Sequence, residues 1–239
     1  MNDKNITAIE EIRSFLKRNI GNRHAVVGVS SGIDSSLVLT LLSLSIDRDK
    51  ITAVFMPDRY TKESDLTDIE KLSKATGIEI ETKNIEAIMS SYREILTSSD
   101  KRIEGNIRSR IRANILYYYA NLNDGLVIGT TNRTEYLLGY YTKFGDGACD
   151  IEPIEHLYKT DVRELSEMLK VPESIIKKKP SAGLWENQYD EDELKMGYDE
   201  IDRALISIFD GHKVDSKYSS LIEIYVKSMH KRELPHSLG

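Results

Sequence analysis

The sequence predicts an α/β fold, a doubly wound, mostly parallel sheet with helices on both faces. Short continuous apolar runs alternate with longer segments of helical periodicity, and a polar turn of small residues follows the first of those runs. An uninterrupted run such as Ala25-Val26-Val27-Gly28-Val29 suits a strand covered on both sides, the situation of a central parallel strand.

Ile6, Ile9, Ile12, Leu16 and Ile20 recur on one side of a helix over 6–20, and Gly21-Asn22 stops it. The strand 25–29 follows, then a polar turn and an apolar helix from Ser35 to Ile46. The unit repeats as strand Ile51 to Met56, helix Ser64 to Ala75, strand Ile78 to Thr82 and a helix from about Glu86 to Leu96. Thr97 to Gly105 turns to Ser, Asp, Lys, Glu and Gly and predicts a loop, before a long helix from about Asn106 to Asn121 and a buried strand, Gly125 to Gly129. Asp161 to Leu169 and Glu193 to Phe209 read as helices. Between them Lys177 to Asp192, with Pro, Gly and Trp185, is long for a connection, a length that marks functional or mobile loops.

The 239 residues suffice for one well-buried core and are few for two, so a single domain over 1–239 is expected. With 33 Lys+Arg against 39 Asp+Glu, the net charge of -6 argues against a protein whose main work is neutralising nucleic-acid phosphate, though a local basic patch stays open. Cys149 alone can form neither an internal disulfide nor a Cys-rich zinc site, which points to a reduced compartment. Met1 to Ile20 lacks the apolar stretch of a signal peptide or membrane span, so a cytoplasmic protein without a membrane partner is expected.

The chemistry starts behind the first strand, at Val29-Ser30-Ser31-Gly32-Ile33-Asp34-Ser35-Ser36. In an open parallel sheet, ligands bind beyond the carboxyl ends of the strands, where a helix N-terminus offers unpaired N–H groups and a positive dipole end. Gly28 and the small residues let the backbone approach a phosphate, and Ser30 and Ser35 add hydroxyl donors. No lysine follows, so this is not the GxxxxGK[ST] loop. A carboxylate at Asp34 would repel phosphates unless a cation, magnesium, stood between them. The plainer alternative is that Asp34 caps the helix and the serines form its turn.

The run resembles the Ser-Gly-Gly-x-Asp-Ser pyrophosphate loop of the N-type ATP pyrophosphatases, with Ser31 where that loop commonly has its first glycine. A second stretch is more specific. Gly129-Thr130-Thr131-Asn132-Arg133-Thr134-Glu135, then Gly139-Tyr140-Tyr141-Thr142-Lys143-Phe144-Gly145-Asp146-Gly147-Ala148-Cys149-Asp150 and Ile151-Glu152-Pro153-Ile154, is similar to ammonia-dependent NAD synthetase, and the likeness runs from Val26 through His230-Lys231-Arg232-Glu233-Leu234-Pro235.

The resemblance implies an adenine nucleotide alpha hydrolase-like, Rossmann-like fold and a ligase that amidates deamido-NAD with ATP and ammonia. It implies ATP contacts from Gly28, Ser30, Ser31, Gly32, Ile33, Asp34, Ser35, Thr130, Lys159 and Ser181, with magnesium on Asp34 and Glu135. Asn106, Arg110, Lys143, Asp146, Asp150, His230 and Lys231 would meet the dinucleotide, and Asp34, Glu135, Lys159 and Asp146 would carry the chemistry, Asp146 as the acceptor of ammonium's proton. A homodimer sharing the dinucleotide site is implied as well, through the long helix 106–121, and the loop 177–192 would serve as a lid.

Bland readings compete. Lys143, Asp146 and Asp150 could form a surface salt-bridge group, Glu135 could be an exposed helix residue, and Arg108 and Arg112 could share a solvated helix face. Tyr117-Tyr118-Tyr119 could stack bases but points three ways and better suits core or interface packing, while Lys177-Lys178-Lys179 reads as a solvated loop, with phosphate closure the lesser reading. Cys149 lacks the accompanying base of a nucleophile, and His24, His156, His212 and His236 show no metal spacing. Among functions, tRNA thiolation normally needs more cysteines, and a passive nucleotide-binding module has no evident need of two acidic metal ligands.

Overall fold

The computed structural model describes residues 3–97, 100–179, 195–210, 215–233 and 237. At its centre is β1 (His24–Val29), paired in parallel with β2 (Ile51–Phe55), Ala25 opposite Ile51, and on the other side with β4 (Gly125–Ile128), His24 opposite Gly125. β3 (Ile80–Thr82) lies beyond β2, giving the order β3-β2-β1-β4. Parallel neighbours require crossovers, and helices supply them.

Side chains on β1 alternate between two cores, as the pleat demands. Ala25, Val27 and Val29 pack with Ile12 and Leu16 of α1 (Asp3–Ile20), Leu37 and Leu41 of α2 (Ile33–Ser45) and Val162 of α7 (Lys159–Met168). Val26 faces the opposite side, with Val127 and Ala120 of α5 (Lys101–Leu122). The same side continues through Val54 and Met56 to Met89 of α4 (Glu86–Ile95). Leu16, Leu37 and Leu41 are fully buried, each contributing on the order of 2 kcal/mol. Gly28 lets α5 lie against the end of β1, because a Cβ there would stand 3.1 Å from Leu116 Cδ1.

A smaller core joins Leu137 and Leu138 of α6 (Arg133–Leu138) to Ile201 and Leu205 of α9 (Tyr198–Phe209) and Leu221 of α10 (Ser219–Lys227). α3 (Glu63–Thr76), α8 (Glu173–Ile176) and α11 (Met229–Arg232) complete the described α-helices, with short 3-10 turns at Arg48–Lys50 and Ser216–Tyr218. From β1 the chain winds outward through β2 to β3, whereas β4 pairs on β1's other side. The carboxyl ends of β1 and β4 therefore border the crevice of a topological switch point.

Several expectations need correction. The stretch 97–105 is not wholly loop: α5 starts at Lys101, because Asp100 caps it by accepting a bond from Arg102 N at 2.8 Å, and Glu104 in its first turn is gripped by Arg93 at 2.9 Å. β3 starts at Ile80, and the turn after β4 tightens into α6 behind a capping box made by Asn132 and Glu135. Within the expected helix 193–209, α9 is helical from Tyr198, and 193–194 lie outside the described residues.

Arg108 and Arg112 are not a solvated pair. Arg108 is fully buried and ion-paired with Asp58, which is itself 6% exposed, and Arg112 donates to Met56 O at 3.1 Å with Nη2 3.5 Å from Asp58 Oδ2. Asp58 also accepts from Tyr60 N at 2.9 Å, so one carboxylate anchors the turn after β2 to α5. Asp58→Ala would leave a guanidinium buried without its counter-charge and should cost about 3–5 kcal/mol in urea unfolding. A loss under about 1 kcal/mol would show that water reaches the pair.

Candidate active site

Beyond β1 the chain turns sharply, with Ser31 at φ +61° and Gly32 leading into α2. Ser30 N donates to Ser35 Oγ at 3.2 Å and Gly32 N to Ser30 Oγ at 3.3 Å, which closes the turn around small side chains. The turn and the start of α2 border a cavity of about 970 Å³, large enough for two nucleotides side by side. Gly28, Ser30, Ser31, Gly32, Ile33, Asp34 and Ser35 all line it, as does Thr130 beyond β4.

Three loops meet at a charged centre on this wall. Lys159 Nζ, at the first turn of α7, donates to Asp34 Oδ2 at 2.6 Å and to Glu135 Oε1 at 3.1 Å. Asn132, fully buried, donates from Nδ2 to Asp34 Oδ1 at 2.8 Å and accepts from Glu135 N at 2.9 Å. Asn132 N also donates to Glu135 Oε2 at 3.3 Å, so the capping asparagine of α6 holds both carboxylates. Behind it, Thr134 Oγ1 donates to Asp202 Oδ1 at 2.5 Å and accepts from Lys159 N at 3.0 Å, while Asp202 Oδ2 takes Thr160 N at 2.9 Å. Burial pushes the Asp202 carboxyl above its ordinary range, against the pull of those donors. Asn132 and Asp202 carry no assigned role in the sequence reading. The capping-box pattern Asn132-x-x-Glu135 was the signal available for the former, and for Asp202, on a distant helix, there was none.

The opposite wall carries Asn106, Asp146 and Lys231. Asp146 Oδ1 accepts from Ser109 Oγ at 2.5 Å and from Thr142 N at 2.9 Å, and Thr142 Oγ1 donates to Asn106 Oδ1 at 2.8 Å. Lys231 Nζ donates to the carbonyls of Gly139 and Tyr141, each at 2.6 Å, and burial lowers its pKa. Burial likewise raises the Tyr141 phenol to about 12.

Four sequence candidates lie outside the cavity lining. Arg110 is exposed on α5, about 100° around the helix from Ser109. Lys143 Nζ donates to the carbonyls of His230 and of Glu233, tying the exposed His230 to the turn that carries Asp146. Asp150 accepts from Val127 N at 2.8 Å along β4. Ser181 and most of the expected lid lie outside the described residues. Burial raises the Cys149 thiol, and its Sγ lies 3.2 Å from Glu152 Oε1, surroundings that disfavour a thiolate nucleophile.

Two further features escape the sequence. Lys178 lines the cavity and donates to Ser31 and Asp65. Glu152 sits under the loop after β4, accepting from Thr131 N at 3.2 Å, and a Cβ on Gly129 would run into its carboxyl. Two carboxylates, Asp34 and Glu135, face the cavity as hard oxygen donors, and among the described residues no cluster of three or more His, Cys, Asp or Glu forms a complete metal cage.

A family model described as NAD synthase matches residues 8–235. The NH(3)-dependent NAD(+) synthetase of Picrophilus torridus is 58% identical over 231 residues, 96% of this chain and 93% of that one. That of Thermoplasma volcanium is 52% identical over 233 residues, covering 97% and 96%. Among solved structures, NMN synthetase from Francisella tularensis superposes with a TM-score of 0.89 at 34% identity, over 98% of both chains. The NH3-dependent NAD synthetase from Campylobacter jejuni, in complex with the nitrate ion, gives 0.82 at 28% identity over 98% and 97%.

Glu152 generates a pH prediction. Burial raises its carboxyl from 4.5 to about 7. Between those values the folded chain holds a proton that the unfolded chain releases, so this group's contribution to stability falls as pH rises through that window. Glu152→Gln keeps the shape and cannot ionise. Its stability relative to the native chain should therefore climb by up to about 3 kcal/mol from about pH 5 to about pH 8, read by thermal unfolding. A difference that stays flat across that range would contradict the assignment.

Proposed function

The chain belongs to the NAD synthase family, and from that premise we propose how its cavity performs the family's reaction. The protein is a ligase that forms a C–N bond: with ATP and ammonia it converts deamido-NAD to NAD through an adenylate, releasing AMP and pyrophosphate. The observation that carries the site assignment is the meeting of Asp34 and Glu135 at Lys159 Nζ, on the wall that also holds the Ser30 to Ser35 turn.

Ammonia does not usefully attack a free carboxylate, whose charge repels nucleophiles and whose oxide is a very poor leaving group. Adenylation removes both obstacles. The nicotinate carboxylate attacks the α-phosphorus of ATP in line, and the departing pyrophosphate is received by the backbone N–H groups of the turn and by the hydroxyls of Ser30 and Ser35. Lys159, already paired with both carboxylates, lies where it can share its charge with the phosphates. The two carboxylates suit magnesium, which is commonly held by one or two carboxylates with phosphate oxygens and water. Held by Asp34 and Glu135, it would supply neutralisation of phosphate charge. Ammonia then attacks the acyl carbon and AMP leaves. Asp146, on the facing wall, accepts the proton from ammonium.

The likeness to NMN synthetase favours a second substrate for the same chemistry, nicotinate mononucleotide, which presents the same carboxylate. The chain functions as a homodimer on this reading. α4 and α5 expose Ile95, Ile103, Tyr118 and Leu122 at 77%, 48%, 62% and 63%, and Arg110 is exposed on the same long helix, where a second copy would bring it to a neighbouring dinucleotide. Among the described residues no helix is long and apolar enough to cross a membrane. A cytoplasmic location accords with the reduced single thiol.

Purified protein with ATP, magnesium, deamido-NAD and ammonium should yield NAD, AMP and pyrophosphate in equal amounts; ADP and orthophosphate would end this reading. A parallel reaction with nicotinate mononucleotide ranks the two substrates. Glutamine alone should not replace ammonium. Asp34→Ala and Glu135→Ala should each cut turnover about a hundredfold or more while the thermal melt persists, and near-normal rates in both would refute the metal assignment. Leu122→Glu should shift the sedimentation coefficient to that of a monomer, and an unchanged dimer would place the interface elsewhere.

A further inference from the structure

The turn beyond β1 contains an anomaly that its phosphate-binding role does not explain. Ser31 holds φ +61°, a region that side chains other than glycine rarely enter, and it is 2% exposed. The pyrophosphate loops this turn resembles commonly carry glycine there, which needs no support.

Ser31 is supported from two elements outside the turn. Its hydroxyl donates to Asp65 Oδ1 at 3.1 Å and accepts from Lys178 Nζ at 3.1 Å, and its carbonyl accepts from the same Nζ at 3.3 Å. Lys178 is in turn 3.0 Å from Asp65 Oδ1 and 2.7 Å from Asp68 Oδ2. Both acids are themselves fixed. Asp65 Oδ2 accepts from Lys62 N at 3.0 Å at the start of α3, and Asp68 Oδ1 accepts from Ser174 Oγ at 2.6 Å in α8, with Lys71 Nζ 3.6 Å away. Burial works against ionisation of Asp68, but the bonds from Lys178 and Ser174 outweigh it and hold its carboxyl below the ordinary range.

We propose that Asp65 and Lys178 are positioning residues for the diphosphate loop: by gripping the hydroxyl and carbonyl of Ser31 they hold a left-handed turn that glycine adopts unaided, and so aim the loop's amides at ATP. This rests on the assignment of that loop to the ATP phosphates. A glycine at this position has no hydroxyl to grip and no strain to restrain. The serine and its two partners therefore form a compensating set, and the effect of removing a partner depends on whether the serine is present.

The test is a double-mutant cycle in the full chain with Asp65→Asn, which keeps the capping oxygen and removes the charge, and Ser31→Gly. In the native background Asp65→Asn should raise the KM for ATP about fivefold or more and leave the KM for ammonium unmoved. In the Ser31→Gly background the same change should raise it less than about twofold. A ratio between the two factors below about 2.5 overturns the proposal. Where Asp65→Asn does not fold, Lys178→Met takes its place in the cycle under the same criterion. The cycle read by thermal unfolding needs no substrate: a loss of Tm from Asp65→Asn that shrinks in the Ser31→Gly background supports the network even if the native chain failed to cleave ATP, so the two readings fail separately.

Discussion

A single ammonium set between two carboxylates organises this site. Lys159 is 5% exposed, and a cation so placed is costly unless its charge is met at once. Asp34 and Glu135 meet it, and they arrive from loops following different strands, one entering α2 and the other opening α6. Asn132 braces both acids from below. Asp202 in turn fixes the amide of Thr160 and the hydroxyl of Thr134, so the smaller core around α9 is coupled to the position of the charge. The arrangement keeps like charges together in a form ready for phosphate, because the lysine neutralises them beforehand.

The sheet decides where such a centre can stand. At a topological switch point, loops leaving adjacent strand ends part, and the space between them is a crevice wide enough for a nucleotide pair. Small residues are placed where that crevice needs depth. Gly28 admits α5 against β1, and Gly129 leaves room for the Glu152 carboxyl under the loop that carries Thr130 and Asn132. Ser31 is the exception, a side chain at a left-handed position that is held by neighbours.

The two walls of the cavity differ in kind. Around Lys159 the groups are charged and tightly paired, suited to phosphate chemistry. Around Asp146 they are a mesh of hydroxyl, amide and carbonyl contacts from α5 and the turn 139–146, with Lys231 bound to carbonyls of that turn, suited to orienting a polar substrate. Between them the lining is apolar, through Phe55, Met56 and Leu116. This division matches a reaction that must join one charged reactant to another while keeping water from the intermediate.

The strands, most helices and the small-residue turn after β1 were legible in the sequence, because these follow from periodicity and from local chemistry within a few residues. The sequence also singled out Asp34, Glu135 and Lys159 through a resemblance in order and spacing. It could not place partners that meet only after folding. Asn132 and Asp34 are 98 residues apart, Asp65 and Lys178 are 113 apart, and Arg108, on a helix face that could equally be solvated, is buried against the distant Asp58. Composition alone cannot reveal that Asp100 caps α5 or that Arg93 meets Glu104 across space, which is why the helix begins before its apolar periodicity does. Which charges are buried, which pair, and that Arg110, Lys143, Asp150 and His230 stand outside the cavity lining follow from long-range contacts, since a side chain's free energy depends on neighbours that folding brings together.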